Sequence, residues 1–311
     1  MLFHDLINKE ILKLVQDDSN ARICILKDGE RKYVWKKYTP QSLDSFELER
    51  KNVGLLKNSG IRMCRSFAIF HEELSIFYEI MDGNFSEYCF SILDETEKLS
   101  DAFISLIDCI KIEIEGLRNL NLKQFSRNGD YAYTYQRNLD VLGIIGKSAL
   151  KRLKHTAKLS NFSRIVTRYD PDIFNFLVKD GVIYSHDFSL WRTSHPIYYY
   201  SFFVTDLIKM AEIDKEYNKS DKKRFRILAE KADETFKEEI LENKDFYFSN
   251  NEDPEETYLL NKLDAYSYYA TWYLKRILAM DYDIHDRDTL KRNYKWSKEK
   301  ILEVLVNEEN D

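Results

Sequence analysis

The chain has 311 residues, 44% of them hydrophobic, 14% aromatic and 32% charged, which is apolar material enough for a sizeable core in one large domain or two lobes. Its formal net charge of −6 excludes general nucleic-acid binding through a basic surface, because phosphate contacts need clustered Lys and Arg. Only nine Gly and four Pro are spread over the whole length, which argues against an all-β sandwich built on many tight turns and predicts that helix dominates.

Residues 11–16, 22–26 and 32–38 read as three short strands in an antiparallel meander, with Asp28-Gly29 as the turn between the last two. Residues 42–58 then carry helical signals. Ser42 or Asp44 can serve as the N-cap, Leu48, Leu55 and Leu56 recur near helical spacing, and Ser59-Gly60 ends the segment. Strand character returns at 65–70 and 74–80, around the polar turn His71-Glu72-Glu73. After Met81-Asp82-Gly83 the pattern changes to long helices, first at 100–120, where Phe103, Leu106, Ile107, Ile110 and Ile114 make an apolar face. That change predicts a lobe boundary, with residues 1–83 before it and 84–311 after it. Residues 121–160 are polar and lysine-rich and read as a candidate insertion, and 200–217, 221–242, 256–279 and 288–306 read as amphipathic helices. The expected fold class is α+β, a small antiparallel sheet with one main helix followed by a larger, mostly helical part.

Cys24, Cys64, Cys89 and Cys109 are scattered in apolar or strand-like surroundings without a C-x-x-C pair, so buried reduced thiols are expected. The N-terminus lacks a basic region followed by an apolar run, and no stretch of roughly eighteen apolar residues occurs. A cytoplasmic protein without a transmembrane segment is therefore expected.

The densest chemistry lies at 168–188. Asp170, Asn175 and Asp187 stand at a spacing that phosphoryl transfer uses: one carboxylate orients the attacking hydroxyl, while an amide and a second carboxylate hold the magnesium that bridges nucleotide phosphates. Between Asn175 and Asp187, Phe-Leu-Val, Lys-Asp-Gly and Val-Ile-Tyr read as a hairpin turning at Asp180-Gly181, which would return Asp187 beside Asn175. Upstream, period-two alternation in Tyr-Val-Trp-Lys-Lys-Tyr sends Val34 and Lys36 to one face and Trp35 and Lys37 to the other, so that Lys36 is aimed into a cleft between lobes. Glu49 on the following helix could pair with it, and Glu47, two residues away on a different helix face, is the competitor. Taken singly these are ordinary solvated charges. Their order along the chain reverses that preference.

This combination, with an apolar strand ending in Tyr-Glu-Ile-Met-Asp-Gly and with His-Asp-Phe-Ser after the hairpin, resembles the two-lobed protein-kinase-like superfamily. Within it the likeness is to aminoglycoside phosphotransferases, choline-kinase-like enzymes and lipopolysaccharide core sugar kinases, and the wording from Asp170-Pro171 to Val182 is most similar to lipopolysaccharide core heptose kinases. The likeness spans roughly residues 10–210, and is motif-dense only at about 168–190. It implies that Asp170 is the catalytic base, that Asn175 and Asp187 hold Mg2+, and that Lys36, positioned by Glu49, holds the phosphates of ATP. Residues 79–83, with Glu79 and Met81, would be the hinge that meets adenine. The implied function is ATP-dependent transfer of the γ-phosphate to a hydroxyl of a small-molecule or glycan acceptor, such as a surface-glycan sugar, with peripheral membrane contact where the acceptor is lipid-linked. The alternatives are an aminoglycoside or choline-type amine-alcohol kinase, and a pseudokinase that serves as a binding module.

The chain also departs from the pattern. Arg168 stands where a His is usual, Tyr169 replaces Gly or Arg, Ser189 replaces the Gly of D-F-G, and the expected phosphate-covering loop, Gln16-Asp17-Asp18-Ser19-Asn20, has no glycine. Two carboxylates there would repel phosphate oxygens unless Ser19 and backbone amides make the contact. A protein Ser/Thr kinase is disfavoured, because no A-P-E-like segment follows Asp187 at activation-loop distance. His186 reads as a packed strand histidine, and His4, His71, His155, His195 and His285 lack metal-ligand spacing. Tyr198-Tyr199-Tyr200 and Phe202-Phe203 read as core, and the acidic run 251–256 as a solvated loop.

Overall fold

The computed structural model describes residues 3–7, 9–17, 21–118, 120, 165–168, 170–188, 191–248, 252–279 and 286–307. The candidate insertion at 121–160, residues 18–20 of the glycine-free loop, Tyr169 and Ser189 lie outside the described residues. The chain divides into two units, Met1–Asn128 with Ile173–Trp191, and Gly129–Asp172 with Arg192–Asp311.

In the first unit the alternating segments become β1 (Glu10–Asp17), β2 (Ala21–Asp28), β3 (Arg31–Tyr38), β4 (Ser66–Phe70) and β5 (Ser75–Glu79), an antiparallel sheet in the order β1-β2-β3-β5-β4. Alternation assigns its two faces. On one, Cys24, Leu26, Tyr33 and Phe77 pack with Leu6 of α1 (Phe3–Ile7), and the Tyr33 hydroxyl donates to the Leu6 carbonyl at 2.7 Å. On the other, β3 pairs Val34 with Tyr78 and Lys36 with Ile76, so these four and Tyr38 share a face, where Tyr38, Ile76 and Tyr78 pack with Phe46 of α2 (Leu43–Leu56). Ser42 occupies the N-cap position of α2, but its side chain makes no capping bond. The chain enters instead through a 3-10 turn at Pro40–Ser42. Gly60, at φ +82°, follows the helix in the left-handed region that ends such segments.

Beyond β6 (Gly83–Asn84) comes a helix the periodicity did not predict, α3 (Phe85–Ser91), started by a capping box in which Asn84 and Glu87 satisfy each other's backbone N–H. The long helix α4 (Thr96–Leu117) buries Phe103, Leu106, Ile110 and Ile114. The hairpin forms as expected from β8 (Phe176–Lys179) and β9 (Val182–Ser185), which join β6 in a second sheet. Asp180 at φ +53° and Gly181 at φ +74° both take the left-handed conformation that a two-residue hairpin turn requires. The Ser185 hydroxyl at the end of β9 donates to the buried carboxylate of Glu113 on α4.

β7 (Ile165–Arg168) pairs with β10 (Trp191–Ser194), and in the second unit helices follow at α5 (Tyr198–Glu212), α6 (Lys219–Glu242), α7 (Lys244–Tyr247), α8 (Pro254–Ala279) and α9 (Arg287–Asn307). The aromatic run is core: Tyr198, Phe202, Tyr269 and Tyr273 cluster with Leu290, and Tyr199 and Tyr200 are fully buried. In the acidic run Asp253, Glu255 and Glu256 are exposed, as the solvated reading expects, and Glu252 departs from it. Pro254 already starts α8, and the Glu252 side chain is only 8% exposed, with an oxygen 3.2 Å from Nε2 of buried His195. A buried imidazole needs a polar partner for each nitrogen, and Nδ1 is taken by the Ile197 N–H at 3.3 Å. Glu252 serves the other. Among the described residues, no helix is long and apolar enough to cross a membrane.

Candidate functional site

β3 delivers Lys36 and α2 delivers Glu49, and the two meet at 2.7 Å with side chains 13% and 2% exposed. Glu47, the competitor, turns to Arg50 at 2.7 Å and to His71 at 2.5 Å, as a residue on another helix face must. The Glu49 carboxylate also accepts from the hydroxyls of Tyr38 and Tyr78, so one buried anion takes an ammonium and two phenols. Burial works against the Lys36 charge, but Glu49, Tyr38 and Asp187 outweigh it and hold its pKa above the ordinary lysine range. Burial and then Glu49 push the Tyr38 and Tyr78 hydroxyls well up, so both remain neutral donors. Neither tyrosine carries a motif of its own in the sequence. Alternation along β3 places Tyr38 on the face of Lys36, two residues away, whereas Tyr78 joins them only through the β3–β5 register.

Lys36 opens into a cleft of roughly 700 Å³ within the first unit, with apolar walls from Ala21, Ile23, Val34, Met81 and Leu177 and polar groups from Asn175, His186 and Asp187. Glu79 and Met81 lie on its rim segment, which is tied down on two sides. The Glu79 N–H donates to the Arg65 carbonyl at 3.0 Å, the Glu79 carboxylate stands 3.5 Å from Lys179, and the Asp82 N–H donates to Val178 at 2.7 Å. Cys64 also lines the cleft, with its thiol pushed up to about 12, foremost by burial, which leaves it a neutral hydrophobe at ordinary pH.

The hairpin brings Asn175 and Asp187 to the same cleft, since the His186 N–H donates to the Asn175 carbonyl at 2.9 Å. The His186 ring packs edge-on against Tyr78, with ring centres 5.6 Å apart. Asp187 adopts φ +54°, a left-handed conformation that costs a non-glycine residue on the order of 1 kcal/mol and collects at functional sites. The next carbonyl, of Phe188, accepts from Asn52 Nδ2 at 2.7 Å and from Trp191 Nε1 at 2.9 Å. Asn175 and Asp187 offer hard oxygen donors suited to a divalent cation. Among the described residues no three His, Cys, Asp or Glu converge as a metal site, so a cation held by these two side chains would complete its coordination with oxygens of water or of a bound molecule.

Asp170 belongs to the second unit. It lines a cavity of roughly 430 Å³ there with Asp172, Asp214, Glu216 and Asp286, the lysines Lys209 and Lys215, and the rings of Tyr268, Trp272 and Tyr273. Lys209 is held by Asp206 at 2.7 Å, and Tyr269 donates to the same carboxylate at 2.6 Å. Arg168 is fully buried. Its N–H donates to the Tyr199 hydroxyl at 3.1 Å, and its guanidinium lies 5.7 Å from the centre of that ring.

No protein-family profile matches the chain, and no curated protein sequence matches it. Solved structures do. An aminoglycoside phosphotransferase in ternary complex with ADP and hygromycin B superposes with a TM-score of 0.60 at 13% identity, covering 97% of this chain and 95% of that one. A choline/ethanolamine kinase family protein from Mesorhizobium loti gives 0.55 at 9% identity, covering 96% and 92%. The amicoumacin kinase hAmiN, in complex with AMP-PNP, Ca2+ and amicoumacin, gives 0.53 at 15% identity, covering 95% and 90%. The fold is α+β and of the two-lobed protein-kinase-like class, with the five-stranded antiparallel sheet and the mostly helical second part that the sequence predicts.

Proposed function

We propose that the chain is an ATP-dependent phosphotransferase that moves the γ-phosphoryl group to a hydroxyl of a small acceptor. The observation that carries this reading is the buried Lys36–Glu49 pair opening into the same cleft as Asn175 and Asp187. Proteins of the same fold bind ADP, or AMP-PNP with Ca2+, which supports a nucleotide and a divalent ion, here inferred to be Mg2+. Adenine would lie between Ala21, Val34 and Leu177 against the 79–83 segment, and Lys36, held cationic, would meet the phosphates. Asn175 and Asp187 would hold the ion, which when bound neutralises phosphate charge. Asp170 would accept the acceptor's hydroxyl proton. The acceptor oxygen then bonds to the γ-phosphorus, the bridging P–O bond breaks, and ADP leaves.

The cavity at Asp170 sets five carboxylates against two lysines and adds ring faces, a lining that attracts cations. It supports an amine-bearing alcohol or amino sugar as acceptor. A surface-glycan sugar is the second reading, favoured by the heptose-kinase-like wording of 170–182, but an anionic glycan would meet repulsion from these side chains. The test is a thermal-shift titration with ATP and Mg2+, followed by ATP consumption over amino alcohols, aminoglycosides and neutral sugars. A rise in melting temperature and amine-dependent turnover are expected, and Asp170→Asn should lower turnover by about 10²–10⁴-fold while keeping the thermal shift. Binding without turnover on any acceptor would leave the binding-module reading. A chain that binds no metal nucleotide would sink the proposal.

A further inference from the structure

Glu49 and Asn52 lie three residues apart on α2 and therefore share a helix face. Glu49 holds Lys36, which lines the cleft. Asn52, fully buried, donates Nδ2–H to the Phe188 carbonyl 136 residues further along the chain, at 2.7 Å. A second donor grips the same oxygen: Trp191 Nε1–H at 2.9 Å, its indole stacked on the Phe188 ring with centres 5.8 Å apart and planes 22° from parallel. A carbonyl that accepts from two side chains on separate elements has little freedom to turn. Phe188 directly follows Asp187, the residue at φ +54°, and on the other side the His186 N–H is tied to the Asn175 carbonyl. Asp187 is thus the one link between two anchored neighbours. Its backbone conformation is imposed from both sides, as a sparsely populated conformation requires.

We propose that Asn52 and Trp191 are positioning residues that clip the Phe188 carbonyl and so hold the Asp187 carboxylate in the cleft, with α2 setting the phosphate-side lysine and the metal-side aspartate together. This rests on the reading of Asp187 as a ligand of the nucleotide's metal. Hydrogen bonds are directional and the two donors differ in origin, so each can be removed separately. Asn52→Leu deletes one donor at nearly constant volume. Trp191→Phe deletes the other and keeps an aromatic ring against Phe188.

The experiment measures ADP affinity of the full chain by calorimetry, once with chelator and once across a Mg2+ titration, for the wild type, both variants and Lys36→Met. In Asn52→Leu the Mg2+ concentration giving half of the metal-dependent gain should rise about five- to tenfold, the scale of one lost hydrogen bond, with metal-free affinity unchanged. Trp191→Phe should shift the same midpoint in the same direction. Lys36→Met should weaken binding with and without metal, which separates the lysine's role from the clip's. Near-ultraviolet circular dichroism reports folding, and if Asn52→Leu does not fold, Trp191→Phe decides. A folded variant with the wild-type Mg2+ midpoint overturns the proposal. So does an equal loss of metal-free and metal-bound affinity, which is what a purely structural tie would give. A wild type whose ADP affinity ignores Mg2+ is a distinct result, and it overturns the assignment of Asp187 itself together with the clip that depends on it.

Discussion

The Tyr78 hydroxyl donates to Oε1 of Glu49, while Oε2 of the same carboxylate takes Lys36 and Tyr38. Glu49 is 1% exposed, so its charge depends on these donors for the solvation it has lost. Removing one phenol oxygen leaves a ring of nearly the same shape and an anion short of a donor. Tyr78→Phe and Tyr38→Phe should each lower stability by about 1–3 kcal/mol in urea unfolding, with unchanged m-values. Losses within error of zero would mean that water replaces the hydroxyls and that Glu49 is less enclosed than it stands here.

The ion pair makes a sharper prediction, because its partners are not independent. Lys36→Met strands a buried carboxylate, and breaking a buried pair in this way costs about 3–5 kcal/mol, with the lower end expected for a lysine that keeps 13% exposure. Adding Glu49→Gln removes the stranded charge and leaves an amide whose oxygen accepts from one phenol while its NH2 donates to the other phenol oxygen. The double variant should therefore be more stable than Lys36→Met alone. Denaturant midpoints for the four members of the cycle measure the coupling, and strictly additive losses would contradict the pairing.

What could be read from the sequence was what local periodicity encodes. Alternation in β3 put Val34 and Lys36 on one face, and Asp180-Gly181 announced a turn whose two left-handed residues bring Asn175 and Asp187 to one cleft. Even α3 leaves a local trace, the Asn84 and Glu87 spacing of a capping box. The remainder is tertiary. Tyr78 reaches Glu49 only through the β3–β5 register, Asn52 finds Phe188 across 136 residues, and Glu252 is buried because a histidine 57 residues away needs a partner. No window of neighbouring residues contains those pairs.

Gly116 on α4 sets two effects of opposite sign against each other. Alanine is the better helix former by about 1 kcal/mol, and at an open helical site the substitution would stabilise. Here a Cβ would stand 2.6 Å from Ile61 Cγ1 and 2.9 Å from the Ser59 carbonyl oxygen. The Ile61 side chain can yield, but the Ser59 carbonyl is backbone, on the stretch leading to Cys64, whose N–H donates to Ser185 of the hairpin at 3.1 Å. Overpacking of this kind costs about 1–3 kcal/mol, so the clash should win and Gly116→Ala should be destabilising in thermal melts. A higher melting temperature would show that the 59–61 turn moves aside freely.

His195 should make stability depend on pH on the acid side of neutrality. Burial, only partly offset by Glu252, holds its pKa below the ordinary imidazole value near 6.5. The folded chain then keeps this ring neutral under conditions in which the unfolded chain protonates it. Below about pH 6.5 the unfolded state binds the extra proton, so the contribution of His195 is fully present above that pH and is lost as pH falls toward the lowered folded value. His195→Gln removes the titration but leaves a side chain able to donate toward Glu252. Melting temperatures of the two proteins from pH 7.5 down to 5.0, in one buffer series at constant ionic strength, give the comparison. The wild type should lose more stability than the variant over the acid half of that range and run parallel to it above pH 7. Parallel curves throughout would mean that the unfolded and folded chains protonate His195 alike, and that the Glu252 carboxylate compensates fully for the burial of the ring.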